Sequence, residues 1–195
     1  VVLATPVGSM AGILGAIAPY LARDAVVTDV GSVKGTIAVA ARAALGDMLT
    51  GFVPGHPIAG TERTGVEASF SSLFVGRRVV LTPLPETSAE AVARVRAMWQ
   101  AAGAEVVSMS VEHHDAVLAA TSHLPHLLAY ALVDMLARLD DSREIFAYAA
   151  GGFRDFTRIA SSDPVMWRDI SLANRDAIVG MLKKYRAEVD GLIAA

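Results

Sequence analysis

The sequence predicts an α/β unit with a doubly wound parallel sheet, followed by an all-helical unit. Three observations lead there. Short β-branched runs alternate with helical patterns through the first half, as strands covered on both faces do. The strand signal then stops near Ser110. The length, 195 residues, suits one large domain or two small ones.

Taken in order, Val1–Thr5 is a short apolar strand, and the small-residue run Ala11–Ala22 is the helix that packs on it. Strand Val26–Asp29 leads into helix Val33–Leu45, and strand Phe52–Pro54 into a short helix at Val66–Ser72. Strand Arg78–Thr82 is followed by helix Ser88–Ala102, which Gly103 stops, and strand Glu105–Ser108 closes the series. With right-handed crossovers, this order places a ligand crevice at the carboxyl ends of the strands. Beyond it, Val111–Leu139 holds one long apolar-periodic helix, with shorter helices at Arg143–Ala150 and Arg154–Ala160. Pro164 opens a final pair or one long helix. No Pro/Gly-rich linker separates the halves, so residues 1–110 and 111–195 are expected to share an interface.

Hydrophobic residues make up 53% of the chain and charged ones 19%, which supplies a large core and rules out a disordered chain. A net charge of −3 leaves no electrostatic footprint for nucleic acid. Without cysteine there is no disulfide, thiolate nucleophile or zinc–cysteine site, a composition compatible with a reducing cytoplasm. Val1 to Ala22 carries no charged residue, which raises a transmembrane or signal-peptide reading. Pro6, Pro19, the glycines and the lack of basic residues ahead of the run all oppose it. A buried strand, VVLATPV, followed by a tightly packed helix fits better, and no membrane is expected.

Met10–Gly15, M-A-G-I-L-G, follows a strand and falls one glycine short of the dinucleotide fingerprint G-x-G-x-x-G. Asp29 then stands where a ribose-binding acid could, though nearer to Gly15 than that pattern asks. Helix–sheet packing explains the small residues as well, and Asp29 could equally close a turn. After the second strand, Asp29-Val-Gly-Ser-Val-Lys34 starts a helix that Ser32 can cap, with backbone N–H groups and Lys34 toward the crevice. A plain cap beside a surface lysine fits the same residues.

The next strand ends in Gly55-His56-Pro57-Ile58-Ala59-Gly60-Thr61-Glu62. A histidine between glycine-rich bends buries little, and its near-neutral pKa suits acid–base work. Ser122-His123-Leu124-Pro125-His126 sets two histidines on one helical face, with a proline that kinks the helix and frees a carbonyl. With Asp115 they could bind a metal, but no ligand-spacing motif accompanies them. Polar lining of an interdomain pocket is the better reading, and no metal is expected. In Gly151-Gly152-Phe153-Arg154-Asp155-Phe156-Thr157-Arg158, two arginines share a helical face and suit a small carboxylate. Pairing with Asp155 fits the spacing equally well. Ser161-Ser162-Asp163-Pro164 caps the next helix, whose first turn carries Trp167 as a core residue or a ligand platform.

Together, V-V-L-A-T-P-V, T-D-V-G-S-V-K-G, G-H-P-I-A-G-T-E, S-H-L-P-H and G-G-F-R-D-F-T-R-I-A-S-S-D-P-x-x-W resemble the prephenate/arogenate (cyclohexadienyl) dehydrogenase family of tyrosine biosynthesis. The motifs occur in order and span almost the whole chain. The resemblance implies a nicotinamide-binding Rossmann domain, a helical domain that forms a homodimer, and an active site in the cleft between them. It implies a cytoplasmic enzyme that oxidises prephenate or arogenate with NAD or NADP, loses the ring carboxylate as carbon dioxide and makes the ring aromatic.

By the same resemblance, His56 is the catalytic histidine that receives the hydroxyl's hydrogen bond, and Ser32 supports it beside the nicotinamide. Arg158 grips the ring carboxylate, His126 and His123 face the substrate, and Trp167, Thr61 and Glu62 surround the pocket mouth. Thr5 and Pro6 touch the cofactor. Family members carry a glycine-rich strand-helix-strand unit before V-V-L-A-T-P-V, and this sequence opens without it. Residues 1–110 are accordingly expected to be the later part of the Rossmann domain, and residues 111–195 the helical substrate-binding and dimerisation domain. Two other readings stand beside this one: a related hydroxyacid or imine oxidoreductase, and a non-catalytic dimerising fragment.

Overall fold

The computed structural model describes residues 1–60 and 65–195. Strands β1 (Val2–Leu3), β2 (Val27–Asp29) and β3 (Phe52–Val53) form a parallel group, with Val2 opposite Thr28 and Val27 opposite Phe52. The backbone then runs through Pro54 directly into β4 (Gly55–Pro57). This strand pairs antiparallel with β5 (Arg78–Leu81), which pairs in parallel with β6 (Glu105–Ser108).

The parallel sheet expected from the sequence is present at β1–β2, β2–β3 and β5–β6, and is corrected at β4–β5, which pair antiparallel. A parallel return needs a crossover of a dozen or more residues, usually a helix. The helix expected at Val66–Ser72 is only one 3-10 turn, Val66–Ala68. β4 also lies close against β2: a Cβ on Gly55 would come within 3.0 Å of the Asp29 carbonyl oxygen.

Helices α1 (Met10–Ile17), α2 (Gly35–Leu45) and α3 (Ala89–Ala101) cover the strands. Leu3, Met10, Leu14, Ile37 and Phe52 form one buried cluster beneath α1 and α2, and Val53, Val79, Leu81, Val95 and Trp99 form another beneath α3. Fully buried side chains such as Leu14 and Phe52 each contribute about 1.5–3 kcal/mol by leaving water. Ser88 caps α3 by accepting the Ala91 N–H, and Gly103 ends it with φ +82, a conformation that favours glycine.

The charge-free opening folds as β1, a 3-10 turn Val7–Ser9, α1 and a second 3-10 turn Ala18–Tyr20. Gly12 and Gly15 lie inside α1, and a side chain on either would meet open space. They form no phosphate-binding turn, so the fingerprint reading is set aside, and the segment packs on the strands through Met10 and Leu14 rather than through its glycines.

The helical unit begins with α4 (Val111–Leu118) and α5 (Leu124–Ala137), joined by a π-helical turn at Ala119–His123. The expected single helix is widened there because Pro125 has no N–H to offer the Thr121 carbonyl. Val111–Ala137 is long and apolar enough to cross a bilayer by length and composition. Its buried His114 and His123 bond to side chains of other elements.

Next come α6 (Ser142–Ala147), α7 (Gly151–Thr157), a 3-10 turn Arg158–Ser161, α8 (Pro164–Ala173) and α9 (Arg175–Ala194). Asp163 caps α8 by accepting the Val165 and Met166 N–H groups. The two units meet where Val33 packs with Trp167 and Ile170. A Cβ on Gly8 would lie 2.7 Å from Asp169 Oδ2, so glycine permits the close approach of α8 to the loop after β1.

Candidate active site

The site grows from the carboxyl ends of β2 and β4. Asp29 ends β2 and is fully buried, accepting hydrogen bonds from Gly31 N (2.8 Å), Gly55 N (3.3 Å) and the Lys34 ammonium. Lys34 Nζ also donates to the Gly55 carbonyl oxygen at 2.6 Å. Burial pushes the Lys34 pKa down, and the charge of Asp29 works against that shift. Asp29 is thus a turn-closing acid rather than a ribose ligand. Lys34 is neither at the surface nor turned to the crevice: it clamps β2 to the residue just before His56.

His56, on β4, is buried, with Nδ1 2.8 Å from Nε2 of His114 on α4. His114 Nδ1 in turn lies 2.7 Å from Asp115 Oδ1. The Asp115 carboxylate also accepts the Lys34 N–H (2.9 Å) and the Gly35 N–H (2.8 Å), so it caps α2 from about eighty residues away. That corrects the expected Ser32 cap. Burial opposes ionisation of Asp115, but the hydrogen bonds from His114, Lys34 and Gly35 outweigh it and hold its pKa below the usual carboxylate value. For His56, burial first, then Lys34, His114 and His123, push the pKa well below that of a free imidazole.

Asn174, at the α8–α9 junction, extends the series. Its Nδ2 donates to the Asp115 carbonyl oxygen at 2.8 Å and to His123 Nδ1 at 3.1 Å. With Nδ1 accepting, the neutral His123 ring carries its hydrogen on Nε2, a buried atom with no partner among the described residues. Burial pushes His123 down to about 4, with Asp115 opposing. Its ring meets Trp167 edge-on at 6.0 Å, while His126 stacks on the same indole at 3.6 Å. His126 Nδ1 donates to the Ser122 carbonyl oxygen at 2.9 Å, and burial lowers its pKa. His56, His114, Asp115, Asn174, His123, Trp167 and His126 therefore form one continuous line of contacts across the domain boundary. Among the described residues no three acidic or histidine side chains converge as a metal site would require.

Other sequence candidates fall around this line. Thr5 and Pro6 follow β1, with the Thr5 hydroxyl 3.6 Å from Met10 Sδ. Ser32 follows β2, half-buried, and makes no hydrogen bond to His56 among the described residues; His114 holds that ring instead. Arg158 is exposed at the start of the turn after α7, a segment tied to α5 by the Tyr130 hydroxyl donating to the Ser162 carbonyl oxygen. Thr61 and Glu62 lie outside the described residues. The sequence reading missed the parts played by His114, Asp115 and Asn174. The one local signal was the placing of His114 and Leu118 four apart on a buried helical face.

Exposed Pro6, partly exposed Thr5 and the half-buried Ser32, at adjacent strand ends, fit the nicotinamide end of a dinucleotide. No G-x-G-x-x-G occurs in these 195 residues to hold the pyrophosphate. An α/β unit, parallel except at β4–β5, that meets a helical unit across a line of buried histidines fits the class of two-domain nicotinamide-dependent oxidoreductases.

Family models described as "Prephenate dehydrogenase, nucleotide-binding domain" and "Prephenate dehydrogenase, dimerization domain" match residues 1–108 and 110–195. The chain belongs to the prephenate dehydrogenase family. It is 41% identical over 197 residues to the cyclohexadienyl dehydrogenase of Zymomonas mobilis, covering all of this chain and 67% of that protein. It is 38% identical to the prephenate dehydrogenase of Bacillus subtilis over 97% of this chain and 52% of that one. Among solved structures, prephenate dehydrogenase from Aquifex aeolicus in complex with hydroxyphenyl propionate and NAD+ superposes with a TM-score of 0.92 at 42% identity, covering 99% of this chain and 67% of that one. Synechocystis arogenate dehydrogenase superposes with a TM-score of 0.83 at 33% identity, covering 99% and 69%. The chain thus spans about two thirds of some relatives and about half of others.

Proposed function

We propose that the protein catalyses the oxidative decarboxylation of prephenate, or of its amino analogue arogenate, to 4-hydroxyphenylpyruvate or tyrosine, with NAD or NADP. The observation that carries this reading is a neutral histidine, His56, held at a strand end by the helical unit and joined to a second pair of histidines on Trp167. In this reading residues 1–110 are the later part of the nucleotide-binding domain. Residues 111–195 bind substrate and form a homodimer, which the dimerization-domain match supports. The cytoplasm is its place of work.

When bound, the nicotinamide accepts hydride from the ring carbon that bears the hydroxyl. His56 takes the hydroxyl proton as the C–O bond becomes a carbonyl. The bond to the ring carboxylate then breaks, its electrons enter the ring, carbon dioxide leaves, and the phenolic oxygen regains a proton from His56. Aromatisation drives this sequence, so a weakly basic, well-placed imidazole suffices. Arg158 holds the departing carboxylate. His126 and His123 face the substrate with Trp167 beneath them. Ser32, Thr5 and Pro6 line the nicotinamide side.

A related imine or hydroxyacid oxidoreductase with a catalytic lysine on its first C-terminal helix is disfavoured, since Val111–Ala137 contains no lysine. The test is incubation with prephenate or arogenate and NAD+ or NADP+. Carbon dioxide and reduced nicotinamide forming in equal amounts with at least one pair supports the assignment; neither forming with any pair overturns it.

A further inference from the structure

The hydrogen-bond series through His114 has a direction. Asp115 is held ionised by two backbone N–H groups at the start of α2, so its Oδ1 can only accept, and His114 Nδ1 must donate across the 2.7 Å contact. In a neutral His114 ring, Nε2 then has a lone pair and no hydrogen. His56 Nδ1 must therefore donate across 2.8 Å, which leaves His56 Nε2 bare. A bare Nε2 is what a hydroxyl needs to give up its proton. Among the described residues, the charged and titratable groups facing His56 are Lys34 from the start of α2, His114 from α4 and His123 from the π turn.

We infer that His114 and Asp115 are positioning residues of the helical unit that fix the tautomer and orientation of His56, presenting its unprotonated Nε2 to the substrate hydroxyl. Neither touches the reacting atoms. His114 is fully buried behind His56, and Asp115 ties the same relay to α2. The helical unit thus sets the acid–base state of a residue on the nucleotide-binding unit. This rests on the reading of His56 as the hydroxyl's acceptor, but its structural content can be measured without substrate.

Long-range proton–nitrogen NMR of histidine-labelled protein at about pH 8 reads the tautomer directly. The expected spectrum shows His56 protonated on Nδ1 and bare on Nε2, with His114 protonated on Nδ1. Asp115→Asn, whose amide can donate to His114 Nδ1, should reverse both rings. His56 protonated on Nε2 in the unaltered protein, or His114 protonated on both nitrogens, overturns the inference. In kinetics, His114→Leu should lower kcat about 10²–10⁴-fold, the range of a general acid–base contribution, with little change in KM. His114→Gln, which restores an acceptor near the Nε2 position, should recover at least about tenfold of that loss. Equal kcat in the two variants would contradict the relay. Absence of turnover with every substrate pair would overturn the proposed reaction while the NMR result still decided the tautomer.

Discussion

His126 lies flat on Trp167, with ring centroids 3.6 Å apart and planes 19° from parallel. The indole reaches from α8, packs with Val33 of the nucleotide-binding unit, and is 7% exposed. It therefore sets the position of both His123 and His126 and seals the domain boundary. Trp167→Ala should cost about 3–5 kcal/mol of stability, as large-to-small core changes do. Urea unfolding measures this; a loss below about 1 kcal/mol would show that the indole carries little of the packing.

Arg158 stands exposed on a turn anchored to α5 rather than in the core, so its removal should leave the fold intact. A hydrogen bond to a charged group contributes about 1.5–3 kcal/mol. Arg158→Ala should accordingly raise the substrate KM about 10- to 100-fold with a smaller effect on kcat. Steady-state kinetics showing a kcat defect at unchanged KM would reverse the assignment.

The Asp29–Lys34 pair is wholly buried and spans β2 and β4. Removing one partner leaves an uncompensated charge, which costs about 3–5 kcal/mol, whereas apolar replacement of both is often near neutral. Lys34→Met should therefore lower stability by that amount, and adding Asp29→Leu should recover part of it. Additive losses in the double variant would contradict a coupled pair.

The buried histidines make the fold sensitive to mild acid. His123 has a folded pKa of about 4 against 6.5 for a free imidazole, so the unfolded chain binds the proton first. The stability that depends on neutral His123 is whole above 6.5 and declines as pH falls from there toward 4. By about pH 5 the loss is about 2 kcal/mol. His56 and His126 are lowered in the same direction and add to it. Unfolding free energies in urea at neutral pH and at about pH 5 should differ accordingly, and equal values would contradict neutral burial of these rings.

Local chemistry was legible in the sequence. Strand Glu105–Ser108, the helix that starts at Ser88 and the Gly103 stop fold as read, because neighbouring residues decide each of them. The disturbance at Pro125 was also foreseen, since a missing N–H is a local fact. What was hidden depends on distant partners. The antiparallel β4–β5 pairing follows from how the chain returns to the sheet rather than from either strand. The α2 cap looked like Ser32, yet Asp115 supplies it from the other unit. His114 had no role assigned to it from the sequence. Its meaning appears only when β4 brings His56 against it. Lys34 looked like a solvated or crevice-facing cation, and only the approach of Gly55 to Asp29 shows it as a buried clamp.

The most direct measurement of the account is the kinetic comparison of His56→Asn with the unaltered protein, following carbon dioxide and reduced nicotinamide together. The predicted result is a kcat lowered about 10²–10⁴-fold in both products, with the substrate KM changed only a few-fold. A kcat near that of the unaltered protein, or a loss expressed mainly in KM, would contradict the role given to His56.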